Sequence, residues 1–165
     1  MKILVLSDSH ASLRFMRQCV EAVKPDMLLH LGDYYDDAQA LQEEYPNVNM
    51  QQVPGNCDVH RSPVGALEIL TLTVQGVRIY MTHGHRHWVK QGIVRLLKAA
   101  AEANADVVLY GHTHEAVCMK MDSGMWVMNP GSAGYGGGSA GFIKIENGAV
   151  TDCRNLRQDD LEDIR

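Results

Sequence analysis

An α/β fold is predicted by three features of the 165-residue chain. Short aliphatic runs of strand length alternate with stretches whose apolar residues recur at helical spacing. Three of those runs, ending at Leu6, Leu31 and Tyr110, are followed two residues later by Asp8, Asp33 and His112. That is the pattern of parallel strands carrying a site at their carboxyl ends. Gln75-Gly76 and Asn147-Gly148 sit between apolar runs and mark hairpin turns.

Lys2–Leu6 is continuously aliphatic, as a strand buried on both faces must be, and runs into Ser7-Asp8-Ser9-His10. Asp8 and His10 can face one site from that loop, although Ser and Asp are also common helix caps. Leu13, Met16, Val20 and Val23 then predict an amphipathic helix that stops before Pro25. Residues 27–31 form the second strand, with His30 read as a satisfied core side chain, and end in Gly32-Asp33. Asp36 and Asp37 are expected to cap a helix over 36–45 that Pro46 ends. A more polar strand over 48–53 leads into Pro54-Gly55-Asn56-Cys57-Asp58, which a turn alone would explain.

Residues 66–74 and Val77–Thr82 make a hairpin that ends in His83-Gly84-His85-Arg86-His87. Val89, Ile93, Leu96, Leu97 and Ala100 predict one helix, with Gly92 a tolerated weak point. The strand over 107–110 precedes Gly111-His112-Thr113-His114. Taken alone, that pair of histidines is equally an exposed turn. Strands over 116–121 and 125–128 follow, then Asn129-Pro130-Gly131-Ser132 and a glycine-rich run over 134–141. The run lacks nucleotide P-loop spacing and is expected to be a mobile or tightly turned loop beside the site. Residues 142–145 and 149–153 make the last hairpin, and the charged tail from Arg157 is expected to fray or lie on the surface.

The length suits one domain over residues 1–165 with a sizeable core. A net charge of -5 argues against a large nucleic-acid footprint. Cys19, Cys57, Cys118 and Cys153 are widely spaced without a CxxC pair and read as reduced thiols, so a cytoplasmic setting is expected. No signal peptide and no membrane-spanning stretch is read.

Collected, the strand-end residues are Asp8, His10, Asp33, Asn56, His83, His112 and His114. Seven donors are too many for one tetrahedral ion. They suit two ions about 3.5–4 Å apart sharing a carboxylate, with a hydroxide between them as the nucleophile. Imidazole mixed with oxygen suits Mn, Ni, Fe, Co or Zn better than Ca.

The order DxH, GD, GN, H, GHxH resembles the calcineurin-like metallophosphoesterase superfamily. The short length, GNCD and the Asn-Pro-Gly-Ser loop resemble its small YfcE-type bacterial and archaeal phosphodiesterase branch. The resemblance implies a four-layer α/β/β/α sandwich with two mixed sheets. It also implies one metal on Asp8, His10, Asp33 and His114 and another on Asp33, Asn56, His83 and His112, with Asp33 bridging. His85 matches no ligand position and is expected beside the ligands or the substrate. Where many members carry a histidine after the GN asparagine, this chain has Cys57, followed by Asp58. The expected catalytic set is therefore Asp33, Asn56, Cys57, Asp58 and His85.

The leading reading is a phosphodiesterase that uses two divalent transition ions, Mn foremost, on a small phosphodiester, with a homo-oligomer possible. An inactive protein-binding scaffold on the same fold is the alternative from another class. A phosphomonoesterase or nucleotide phosphohydrolase would keep the metals and change the pocket. Trp88 could stack a base, although a packed surface tryptophan is the favoured reading.

Overall fold

The computed structural model describes residues 1–164. The expectation for the tail at Arg165 lies outside the described residues. In chain order the strands are β1 (Lys2–Leu6), β2 (Met27–His30), β3 (Asn49–Gln52), β4 (Ile69–Val74), β5 (Val77–Thr82), β6 (Val107–Leu109), β7 (Ala116–Lys120), β8 (Trp126–Pro130), β9 (Ser139–Glu146) and β10 (Ala149–Arg157). The helices are α1 (Leu13–Val23), α2 (Tyr35–Glu44), α3 (Val94–Glu102) and α4 (Asp160–Asp163).

One sheet has the order β10-β9-β1-β2-β3 and the other β4-β5-β6-β8-β7. Both are mixed: β1, β2 and β3 run parallel, as do β5, β6 and β8, while β9, β10, β4 and β7 pair antiparallel. Strand alternation divides the apolar residues into layers. Ile3 and Val5 of β1 meet Ile79, Val107 and Met128 between the sheets. Leu4 and Leu6 turn the other way, onto Met16, Cys19 and Val20 of α1. Leu96 and Ala100 of α3 cover the outer face of the second sheet. The result is a four-layer α/β/β/α sandwich.

Most element boundaries fall within three residues of expectation; two helices do not follow it. Gly92, at φ +129, separates a short 3-10 turn at Val89–Gln91 from α3, so the expected single helix is broken there. The charged tail forms α4, which buries Leu161 against the outer layer. Asp36 and Asp37 stand in the first turn of α2 but cap nothing with their side chains. Asp37 instead accepts the Ala11 N–H at 2.8 Å and Asp36 pairs with Arg61.

His30 is wholly buried, as expected of a core residue, but only half satisfied. Its Nδ1 accepts the Gly32 N–H at 3.3 Å, and Nε2 finds no partner among the described residues. Burial pushes its pKa from 6.5 down to about 4. The unfolded chain therefore takes up a proton between those values that the fold refuses, and stability falls as pH drops through that window, by up to about 3 kcal/mol. The expected result for His30→Leu is a flatter dependence of the urea midpoint on pH between 6.5 and 4; an unchanged slope would contradict it.

Candidate metal centre

The carboxyl ends of β1, β2, β3, β5 and β6 meet at one edge of the sandwich, and every donor expected from the sequence sits in a loop that leaves one of them. The backbone there is strained. Asp8, His10, Asp33, His112 and His114 all lie at positive φ, between 46° and 69°. Each left-handed L-residue costs on the order of 1 kcal/mol, and such a cluster marks a site. The glycines ahead of the donors let the loops touch. A Cβ on Gly55 would collide with the Asp33 carboxylate, and one on Gly111 with the Ser7 side chain and the Asp8 carboxylate.

Donor atoms of Asp8, His10, Asp33 and His114 lie within 4.8 Å of one another. His114 Nε2 is 3.0 Å from Asp8 Oδ1 and 3.3 Å from His10 Nε2. Asp8 Oδ2 is occupied by the Ser7 hydroxyl at 2.5 Å and the His112 N–H at 3.1 Å. Asp8 Oδ1 is buried and faces the His114 Nε2. Burial, with the neighbouring Asp33 charge, raises the Asp8 pKa to about 6 against the Ser7 hydroxyl and His114, which lower it.

The other half is built on His83. Its Nδ1–H donates to the Leu31 carbonyl at 2.8 Å, which leaves Nε2 with a lone pair. That lone pair faces Asn56 Oδ1 at 3.2 Å and Asp33 Oδ1 at 3.5 Å. Three acceptors converging without a donor repel one another unless a cation joins them. The Asn56 amide is oriented by its Nδ2–H, which donates to Cys57 Sγ at 3.4 Å. His112 stacks edge-on to His83, ring centres 5.0 Å apart, and His85 lies 5.5 Å from His83. Burial lowers the pKa of His10, His83, His85 and His112, which keeps these imidazoles neutral and able to ligate. Burial works against the charge on Asp33, but His83 and the Cys57 N–H at 2.9 Å outweigh it, so its pKa is lowered. The donor chemistry fits divalent transition ions.

Asp58 is fully buried, and its carboxylate accepts the N–H groups of Asp33, Tyr34, Tyr35 and Gly55 at 2.8–2.9 Å. One side chain thus ties the Asp33 loop to the Asn56 loop and caps α2. Cys57 is exposed, and burial of its sulfur and the neighbouring Asp33 push its thiol up to about 11, so it stays protonated. His87 turns away from the donors and pairs with the Tyr80 hydroxyl at 3.1 Å.

The sequence reading assigned no role to three residues at the site. The Asn129 amide donates to the Gly111 carbonyl and the Thr113 hydroxyl, pinning the histidine loop. Ser132 donates to the Asp8 carbonyl at 2.7 Å and accepts the Tyr135 N–H at 3.0 Å. Tyr135, carried by the tightly turned glycine-rich loop, stacks on His114 with ring centres 5.5 Å apart and lies 4.8 Å from His10. The Asn-Pro-Gly-Ser motif was the one sequence signal for this support.

Residues 1–148 match the family described as the calcineurin-like phosphoesterase superfamily domain. The "Probable metallophosphoesterase YsnB" of Bacillus subtilis (strain 168) is 33% identical over 80% of this chain and 75% of its own. The phosphodiesterase MJ0936 of Methanocaldococcus jannaschii is 29% identical over 82% of this chain and 86% of its own. Among solved structures, a phosphoesterase-like protein of Streptococcus pneumoniae TIGR4 superposes with a TM-score of 0.76 at 26% identity, covering 96% of this chain and 90% of that one. Vps29 of Entamoeba histolytica, at 18% identity and a TM-score of 0.71 over 95% of this chain and 99% of its own, shares the fold.

Proposed function

The chain belongs to the calcineurin-like phosphoesterase superfamily, and from that premise we propose that it is a metal-dependent phosphodiesterase acting on small phosphodiesters. The observation that carries this reading is the group of four donors, Asp8, His10, Asp33 and His114, gathered inside 4.8 Å around the buried Asp8 carboxylate. Asp8, His10, Asp33 and His114 would hold one ion, and Asp33, Asn56, His83 and His112 a second, with Asp33 shared. Bound divalent ions would supply positive charge to the phosphoryl oxygens and make a water acidic enough to attack phosphorus at neutral pH.

The protein's own part is to position. His83 is held in one tautomer by Leu31, and Asp58 acts as a positioning residue that sets Asp33 and Asn56 at their spacing. Tyr135 stacks beside His10 and His114 on the open side and helps to orient their rings. His85 stands beside Asn56 at the substrate side. The whole of residues 1–165 is taken as one domain. Four free thiols fit a reducing cytoplasm, and no helix among the described residues is long and apolar enough to cross a membrane.

Protein stripped with a chelator is expected to lose hydrolysis of bis(p-nitrophenyl) phosphate and to regain it with Mn²⁺ or Ni²⁺. Calorimetric titration is expected to give two ions per chain. At a hundredfold excess over Kd the melting temperature should rise by roughly 5–10 °C. Full activity in stripped protein would refute the reading.

Cys57 stands where an imidazolium would protonate a leaving oxygen, and a neutral thiol cannot replace it. Activated aryl esters, which leave without help, should therefore be turned over much better than alkyl esters. Cys57→His is expected to narrow that gap by about tenfold or more, read as the ratio of kcat values. An unchanged ratio would remove any role for this position.

A further inference from the structure

A groove of about 700 Å³ opens off the donor cluster, between the loop after Asn56 and the turn that carries His85. Asn56 and His85 line its inner end, so it continues the site. Its outer walls are apolar and face water: Val59 is 75% exposed, Val64 wholly exposed and Trp88 56% exposed. Apolar side chains gathered along a cleft beside a polar centre are the usual walls of a small-molecule site. The groove's charged pair is closed on itself, since Arg86 grips the Glu68 carboxylate with both Nε and Nη2, the latter at 2.8 Å. Among the described residues that line the groove, no free Lys or Arg is therefore offered to a second phosphate.

Trp88 has a constrained backbone. It sits at φ 58 and ψ 38, closing one 3-10 turn and opening the next, a conformation that a bulky residue rarely adopts. The Arg95 guanidinium lies 5.3 Å from the centre of its ring. Strain held in place by its surroundings is a mark of function. The indole is a surface side chain, as expected, lying against Arg95 and along the groove.

We propose that this groove takes a planar, apolar ester substituent of the substrate, an aryl group or a nucleobase, with Trp88 as the residue that selects it. The proposal rests on the phosphodiesterase reading, and its test separates the two. With Mn²⁺-loaded protein, phenylphosphonate should compete against bis(p-nitrophenyl) phosphate about tenfold better than methylphosphonate does, the scale of one aromatic contact plus its buried area. Trp88→Ala should cut that preference below about threefold, raise KM for the diaryl ester and leave inhibition by methylphosphonate unmoved. Val64→Asp, at a wholly exposed position that folding does not depend on, should do the same.

In metal-free protein, phenylphosphonate should shift the Trp88 indole resonance in an NMR titration. Equal competition by the two phosphonates in the wild type, or a preference kept in both variants, would overturn the groove. Absence of turnover of any phosphodiester while the indole still shifts would overturn the phosphodiesterase reading and support the groove. A dimer in sedimentation that Val64→Asp dissociates would make this face a contact between copies and overturn the proposal.

A different observation stands at the far edge of the sandwich. Cys118 on β7 and Cys153 on β10 belong to different sheets, yet their sulfurs are 3.5 Å apart, and both residues are half-buried. We infer that they form an oxidisable pair that can staple the two sheets. Each thiol gives up its proton and one S–S bond forms. The two electrons and two protons reduce a small-molecule disulfide to two thiols.

Treatment of the whole chain with oxidised glutathione should lower its intact mass by two hydrogens. Peptide mapping should place the link at Cys118–Cys153, and the melting temperature should rise. Cys118→Ser and Cys153→Ser should each abolish that mass change. Mixed disulfides alone, or a link involving Cys19 or Cys57, would overturn the assignment.

Discussion

Asparagine in place of Asp33 is expected to lower phosphodiester turnover on the order of 10³-fold, the scale of losing one preorganised charge at a reacting centre. The substitution keeps the shape of the side chain and an oxygen that can still accept the Cys57 N–H. What it removes is the negative charge between Asp8 and His83, the two halves of the donor set. Ion stoichiometry by calorimetry should fall together with kcat. The metal-free fold should lose some stability, because the fold holds the Asp33 pKa below its usual value and so favours the charge that is removed. Turnover within tenfold of the wild type, with two ions still bound, would remove Asp33 from the shared position.

Alanine at Asp58 should act on the fold itself. Four backbone N–H groups end on that carboxylate, three of them at the entry to α2. Buried donors left without an acceptor cost far more than the hydrogen bonds gain. A loss of roughly 3–5 kcal/mol in urea denaturation is expected. Asp58→Asn, which keeps one accepting oxygen, should recover part of it. Both variants should also bind metal more weakly, since the same carboxylate sets the distance between the Asp33 and Asn56 loops. Wild-type stability in Asp58→Ala would show that water serves those amides equally well.

The gathering of these side chains was legible because parallel strands impose a simple code: an aliphatic run, a glycine, then a polar side chain at the strand end. Asp33 and His112 follow that order, whereas Asn56 comes after a more polar strand. The support was not legible, because a side chain that hydrogen-bonds a distant backbone leaves no period behind it. Asp58 holds amides more than twenty residues away, and Ser132 reaches Asp8 across most of the chain. The same holds for Cys118 and Cys153, whose meeting depends on how the sheets dock. Local backbone geometry misled in one place. Gly92 sits inside an amphipathic pattern, and only its φ of +129 shows that the helix has not yet started. In the tail, Leu161 and Ile164 are two apolar residues among charges, too short a signal to predict α4.

The position of β1 has a consequence for biosynthesis. β1 leaves the ribosome well before β9, yet it lies between β2 and β9, and Lys2 pairs with Lys144. Until the distal hairpin has been translated, β1 keeps one open edge of unpaired amides and an aliphatic face without its cover. Synthesis thus outruns assembly, and the nascent chain spends its vulnerable interval exposing the strand that carries Asp8. Slow non-local pairing of this kind is where chaperone demand and co-translational aggregation arise.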